Sequence, residues 1–96
     1  GQYERALTAL RGSNTNGEAL AMIMTKDYAG AKRVLAAVKN ADGYTAYLAA
    51  VAAARTNDAA AVAQNLKKAV SLDSSLKAKA QKDLEFAKFQ DAVKAL

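Results

Sequence analysis

Among the 96 residues there is no cysteine, no histidine, no proline and no tryptophan. The missing cysteine and histidine exclude disulfide frameworks, thiol nucleophiles and zinc sites built from those ligands. They also remove the side chain best suited to proton transfer near neutral pH. The compartment stays open, because oxidising surroundings permit disulfides without demanding them. With no proline and only five glycines, the chain favours long uninterrupted helices over strands and turns. Long apolar runs are absent as well. The longest, Tyr44 to Ala54, stops at Arg55, far short of the ~20 residues of a membrane span. No signal-peptide pattern opens at Gly1. The chain does open in the middle of a repeated phrase, which points to sequence upstream.

Catalytic signatures are missing too. There is no glycine-rich phosphate loop, no serine elbow and no metal-ligand cluster. The carboxylates stand singly where helix capping accounts for them. Asp83 and Glu85 are two apart, so on a helix they point away from each other. The expectation is a protein that is not an enzyme and holds no cofactor and no metal.

What is present is helix-forming. The hydrophobic fraction is 52%, much of it alanine, which forms helices best and lets them approach closely. A chain of this size forms one domain and buries about 60–65% of its unfolded surface. Lysine and arginine number 14 against nine acidic residues, a formal charge of +5. That balance is compatible with nucleic acid, an acidic partner or an anionic surface.

Three phrases resemble one another: GQYERALTAL at the start, KDYAGAKRVL at 26–35, and NDAAAVAQNL at 57–66. Their small-then-large pairs are Ala6 with Leu10, Ala31 with Leu35, and Val62 with Leu66. These are spaced 25 and then 31 residues apart, a period typical of helical-repeat arrays. Between the phrases lie helix boundaries. Thr15 to Glu18 has the spacing of a capping box, with Glu18 reaching back to the cap. Asp27 caps a helix over about 28–38, and Asp42 caps one running to Arg55. Thr56-Asn57-Asp58 turns the chain again. Asp73-Ser74-Ser75 opens a last long helix whose apolar face runs Leu76, Ala80, Leu84, Ala87 and Val93. Each helix is one-sided and needs a neighbour, and short turns make neighbours antiparallel.

These residues resemble the tetratricopeptide repeat family. The segment YLAAVAAARTNDAAAVAQNLKKAVSLDSS is similar to one repeat, with Ala50, Val62 and Ala69 near the small positions and Leu66 at the large apolar one. KDYAGA is similar to the family's Gly-Asp-Tyr turn, with Lys26 in place of glycine. The usual proline after the second helix is replaced by Ser74 in one unit and Gly43 in the other. The bulky first-helix aromatic and its following glycine are absent. The resemblance implies an all-α fold of antiparallel helix–turn–helix repeats stacked as a short right-handed α-solenoid of about five helices. It divides the chain into a second helix of an incomplete repeat (1–12), repeats at 14–40 and 42–73, and a C-terminal capping helix (74–96).

The resemblance also implies a concave groove lined by first helices. Tyr44, Tyr47, Val51 and Arg55 would line it from one unit, and Asn16, Leu20 and Ile23 from the unit before. Gln81, Glu85, Lys88 and Phe89 would come from the last helix. Tyrosine and arginine are favoured binding anchors. Tyr44 and Tyr47 share a helix face, so both packing and ligand contact stay open for them, and Arg55 suits a helix C-terminus as well. The clamp of paired lysines and asparagines with which some family members hold a peptide carboxylate is not present beyond Asn16. Met22 and Met24 read as filler of core or groove.

Three function classes follow. The first is a scaffold that binds a protein or peptide on the concave face. The second is the structural C-terminal cap of a longer array, with the partner site elsewhere; self-association through the apolar stripe of residues 1–10 is related to it. The third is a binder of nucleic acid or anionic surfaces through Lys67, Lys68, Lys77, Lys79 and Lys82. Against the third, these lysines lack interleaved aromatics and arginines, and the acids of the last helix dilute a membrane-facing charge. The alanine-rich, cysteine-free style suits a bacterial protein of the cytoplasm or the cell envelope.

Overall fold

Four helix starts in this chain are set by side chains that accept hydrogen bonds from otherwise free backbone N–H groups. Thr15 accepts from Glu18 N at 3.2 Å, Asp27 from Gly30 N at 2.9 Å, Asp42 from Thr45 N at 3.0 Å and Asp58 from Ala61 N at 3.1 Å. The computed structural model describes residues 1–96, which form seven α-helices and no strand. They are α1 (Gln2–Leu10), α2 (Asn16–Met24), α3 (Tyr28–Ala37), α4 (Gly43–Arg55), α5 (Ala59–Leu72), α6 (Leu76–Lys82) and α7 (Gln90–Lys94). A single 3₁₀ turn, Leu84–Phe86, joins the last two. None of the helices is long and apolar enough to cross a membrane.

The Thr15–Glu18 capping box forms only by half. Thr15 caps as expected, but the Glu18 carboxylate reaches past the cap. It accepts from Gly12 N at 2.7 Å and from Asn14 N at 2.9 Å. The loop before α2 turns sharply, with Gly12 at φ +83° and Asn14 at φ +51°, and its free N–H groups converge on this carboxylate. Glu18 is buried there, its charge met by charge-assisted hydrogen bonds. At Asp42 the box is complete, because Asp42 N donates to Thr45 Oγ1 at 3.0 Å in return.

Two helical hairpins, α2–α3 and α4–α5, share one turn. One falls within residues 14–40 and the other within 42–73. In each, a threonine ends the first helix and its hydroxyl donates to the carbonyl four residues back: Thr25 to Ala21 at 2.9 Å, Thr56 to Ala52 at 3.0 Å. The next residue is left-handed, Lys26 at φ +70° and Asn57 at φ +59°. The following aspartate N–H then closes on the third carbonyl from the helix end. Asp27 donates to Met22 at 2.8 Å and Asp58 to Ala53 at 2.9 Å, the pattern of a Schellman motif. The first hairpin is shorter: nine and ten residues, against thirteen and fourteen in the second.

Helix α4 is the centre of the molecule. It packs against α2, α3, α5, α6 and the 3₁₀ turn. Ala46, Tyr47, Leu48, Ala50, Val51, Ala52 and Ala53 are all buried on it. Its alanines allow neighbours to approach on several sides. At its first turn, Gly43 lies so close to the end of α5 that an added Cβ would stand 2.8 Å from Asp73 Cβ and 3.1 Å from the Ala69 carbonyl oxygen.

The C-terminal third departs from the sequence expectation. Residues 74–96 are not one capping helix, and the elements exceed the expected five or so. The chain leaves helical geometry at Asp83 (φ −83°, ψ 121°), whose carboxylate accepts from Glu85 N at 3.0 Å. The break ends the expected apolar face after Leu76 and Ala80. Leu84, expected inside, is 87% exposed, while Phe86 is fully buried. Burying a side chain of this size contributes about 1.5–3 kcal/mol. The segment after the break turns back so that the 3₁₀ turn meets α4 and α7 meets α5.

Candidate interaction groove

Helices α2, α4 and α6 present a common face: α2 packs on α4, and α4 on α6. The register of α4 sets what this face carries. Tyr44, Tyr47, Val51 and Arg55 follow one another at spacings of three, four and four, which keeps them on one side of a helix. Between the three helices lies a depression of about 220 Å³, lined by Leu20, Ile23 and Met24 from α2, Tyr44, Tyr47, Leu48 and Val51 from α4, Lys79 from α6, and Asp83 and Glu85 beyond it.

The α4 side chains play different parts in it. Tyr47 is 2% exposed. Its ring meets Phe86 edge-on at 5.5 Å between centroids, and its hydroxyl donates to Asp83 Oδ2 at 2.5 Å. Packing is therefore its main role. Burial, reinforced by the Asp83 acceptor, raises its phenol pKa far above the ordinary value. Tyr44 is 38% exposed at the mouth of the depression. Its phenol pKa is raised as well, by partial burial and by the neighbouring Tyr3. Val51 is buried in the floor.

Arg55 closes one end. Its Nε donates to Glu85 Oε1 at 3.0 Å and its Nη2 to Glu85 Oε2 at 2.6 Å, a two-pronged pair. Nη2 also lies 3.8 Å from Met24 Sδ. Glu85, with Tyr28 assisting, holds the guanidinium proton more tightly than usual.

Of the residues expected to line the groove, Leu20, Ile23, Tyr44, Tyr47, Val51 and Glu85 meet there, with Arg55 joined to Glu85 at its edge. Four others do not. Asn16 stands at the start of α2, where its amide donates to Asp42 Oδ1 at 3.3 Å and ties the two hairpins together. Gln81 faces solvent on α6. Lys88 and Phe89 border neighbouring depressions beside Ala54 and Arg55 and beside α5. The Asp83 break causes the displacement, since residues beyond it no longer follow the α6 helix.

Sequence reasoning left Met24 open between core and groove, and it did not place Lys79 or Asp83 in the groove. Lys79 Nζ stands 5.5 Å from the centre of the Tyr47 ring, in cation–π range. Asp83 carried a readable signal: aspartate is a poor residue for a helix interior and a good one for a cap.

No group of three or more acidic side chains is arranged to hold a metal ion. No protein-family model, curated protein or solved structure matches this chain.

Proposed function

We propose that this chain is a protein-interaction module of the tetratricopeptide-like kind. In this reading its two hairpins are stacked repeats of a short right-handed solenoid, and the face of α2, α4 and α6 receives a peptide or a segment of a partner protein. The repeated turn, with threonine, a left-handed residue and a capping aspartate in both hairpins, supports the repeat reading. The observation that carries the binding reading is the mouth of the depression. Met24 and Tyr44, each 38% exposed, flank a floor of buried apolar side chains. A preorganised apolar recess of this kind binds without first ordering itself.

A binding role rather than a catalytic one also fits how the acids are used. Every acidic side chain except Asp91 accepts a hydrogen bond or ion pair within the chain. A second reading, the cap of a longer stack, is favoured by the way residues 83–96 fold back over α4 and α5.

Site-specific photo-cross-linking separates the two. A cross-linking side chain at position 44 or 24 captures a discrete partner from an extract of the source cells, and one at exposed Ala60 on α5 does not. Equal capture from all three positions, or none from 24 and 44, favours the cap.

A further inference from the structure

We propose that Met24 is a site of reversible oxidation, at which a peroxide converts the thioether to a sulfoxide whose oxygen is held by the Arg55 guanidinium. The site needs no partner, so it stands whether or not the groove receives one.

Composition narrows the chemistry first. The chain has two methionines and no cysteine, histidine or tryptophan. Met22 and Met24 therefore supply its only sulfur atoms, the groups a two-electron oxidant attacks most readily. Residues two apart on a helix do not share a face. Met22 is 7% exposed within the core, whereas Met24, the last residue of α2, is 38% exposed. An oxidant in solution reaches the second sulfur and is kept from the first.

The surroundings of the exposed sulfur are the second observation. Arg55 Nη2 carries two hydrogens. It donates to Glu85 Oε2 at 2.6 Å and also reaches Met24 Sδ at 3.8 Å. A thioether is a weak acceptor, so the second N–H is poorly satisfied while the sulfur is reduced. A sulfoxide oxygen is a far better acceptor. A separation of 3.8 Å lets an oxygen bonded to the sulfur come within hydrogen-bonding range of the same N–H. That bond is charge-assisted. It leaves the Glu85 pair intact, because it uses the other hydrogen. Glu85, gripping Nε and Nη2 together, holds the guanidinium in place before the oxygen arrives.

The step balances with a hydroperoxide as the oxidant. A sulfur lone pair attacks one peroxide oxygen, the S–O bond forms and the O–O bond breaks. The transferred oxygen gives up its proton and the departing oxygen takes one, leaving as water when the oxidant is hydrogen peroxide. Sulfur loses two electrons and the peroxide gains them. A thiol-dependent sulfoxide reductase restores the thioether, releasing water and forming a disulfide between its own reductant thiols. At the mouth of the depression, a polar oxygen tied to Arg55 replaces apolar surface, so the groove loses one of its two exposed apolar flanks while Met24 is oxidised.

The test exposes the full chain to dilute hydrogen peroxide and follows each methionine by peptide mass mapping. Met24→Leu, Arg55→Leu and Glu85→Gln are treated in parallel, and helical circular dichroism checks each fold. Met24 is expected to take up oxygen at least about tenfold faster than Met22, and Met24→Leu to take up almost none in the same time. Equal rates for the two methionines, or unchanged uptake in Met24→Leu, overturn the site. Exposure alone gives the rate difference, so the part played by Arg55 needs a separate readout. Urea unfolding of reduced and singly oxidised chains supplies it. Oxidation should lower the folding equilibrium constant at least about threefold more in Arg55→Leu than in the native chain. Glu85→Gln, which keeps the guanidinium, should follow the native chain. An oxidation cost that is the same with and without Arg55 overturns its hold on the sulfoxide.

Discussion

The Tyr47 hydroxyl donates a 2.5 Å hydrogen bond to Asp83 Oδ2 across 36 residues of chain. It joins the middle of the most buried helix to the point where the C-terminal helix breaks. Removing the donor leaves Asp83 with one acceptor contact fewer in a partly buried place. Tyr47→Phe is expected to cost about 1–2 kcal/mol in urea unfolding. Asp83→Ala should cost a similar amount, and the double variant less than the sum of the two. Strict additivity would show that the bond does not couple the two elements.

Alkaline pH should expose the same contact. The Tyr47 phenol pKa is raised, by burial first and by the Asp83 acceptor second. In the unfolded chain a tyrosine ionises near pH ~10, so there the unfolded state releases a proton that the folded state keeps. The contribution is full below that pH and is lost as pH rises past it. Stability should therefore fall more steeply above pH ~10 in the native chain than in Tyr47→Phe. Parallel curves for the two proteins would contradict this assignment.

Arg55 and Glu85 form a two-pronged pair with side chains 26% and 27% exposed. Water reaches both groups, so the coupling is modest. A double-mutant cycle with Arg55→Gln and Glu85→Gln is expected to give about 0.5–1 kcal/mol. That value should shrink between low and high salt. A coupling that salt leaves unchanged would indicate packing rather than charge.

Gly43→Ala should destabilise, against the usual helix preference. Alanine normally gains up to about 1 kcal/mol over glycine inside a helix. Here the new methyl meets Asp73 Cβ and the Ala69 carbonyl oxygen, and neither is the flexible end of a long side chain. The expected loss is about 1–3 kcal/mol by thermal or urea unfolding.

The two left-handed turn residues should respond in the opposite direction. Lys26 and Asn57 hold φ +70° and +59°, a conformation that costs a side chain roughly 1–2 kcal/mol and glycine nothing. Lys26→Gly should raise the melting temperature, and Asn57→Gly should raise it less, since asparagine tolerates this conformation better. A lowered melting temperature for Lys26→Gly would mean that the Lys26 side chain makes a contact that matters.

Much of the fold was legible from short stretches of sequence. Thr15, Asp27, Asp42 and Asp58 mark helix starts because a cap needs only its own side chain and an N–H three residues on. The hairpin turns repeat 31 residues apart for the same reason: each closes with hydrogen bonds inside six residues. Half of the groove was also legible, since Tyr44, Tyr47, Val51 and Arg55 share a face by helical spacing alone. The break at Asp83 was not. A local pattern that favours Leu76, Ala80 and Leu84 on one face is outweighed when the chain turns, buries Phe86 against Tyr47 and lets Asp83 and Glu85 reach Tyr47 and Arg55. Those partners lie 36 and 30 residues away, and no local window contains them. Sequence by itself thus determined where most helices start and which face of each is apolar, because those interactions are local. Only the tertiary structure decided which side chains the face pairs within its own chain and that Lys79 comes to lie over the Tyr47 ring, because burial and charge pairing depend on what the fold brings together.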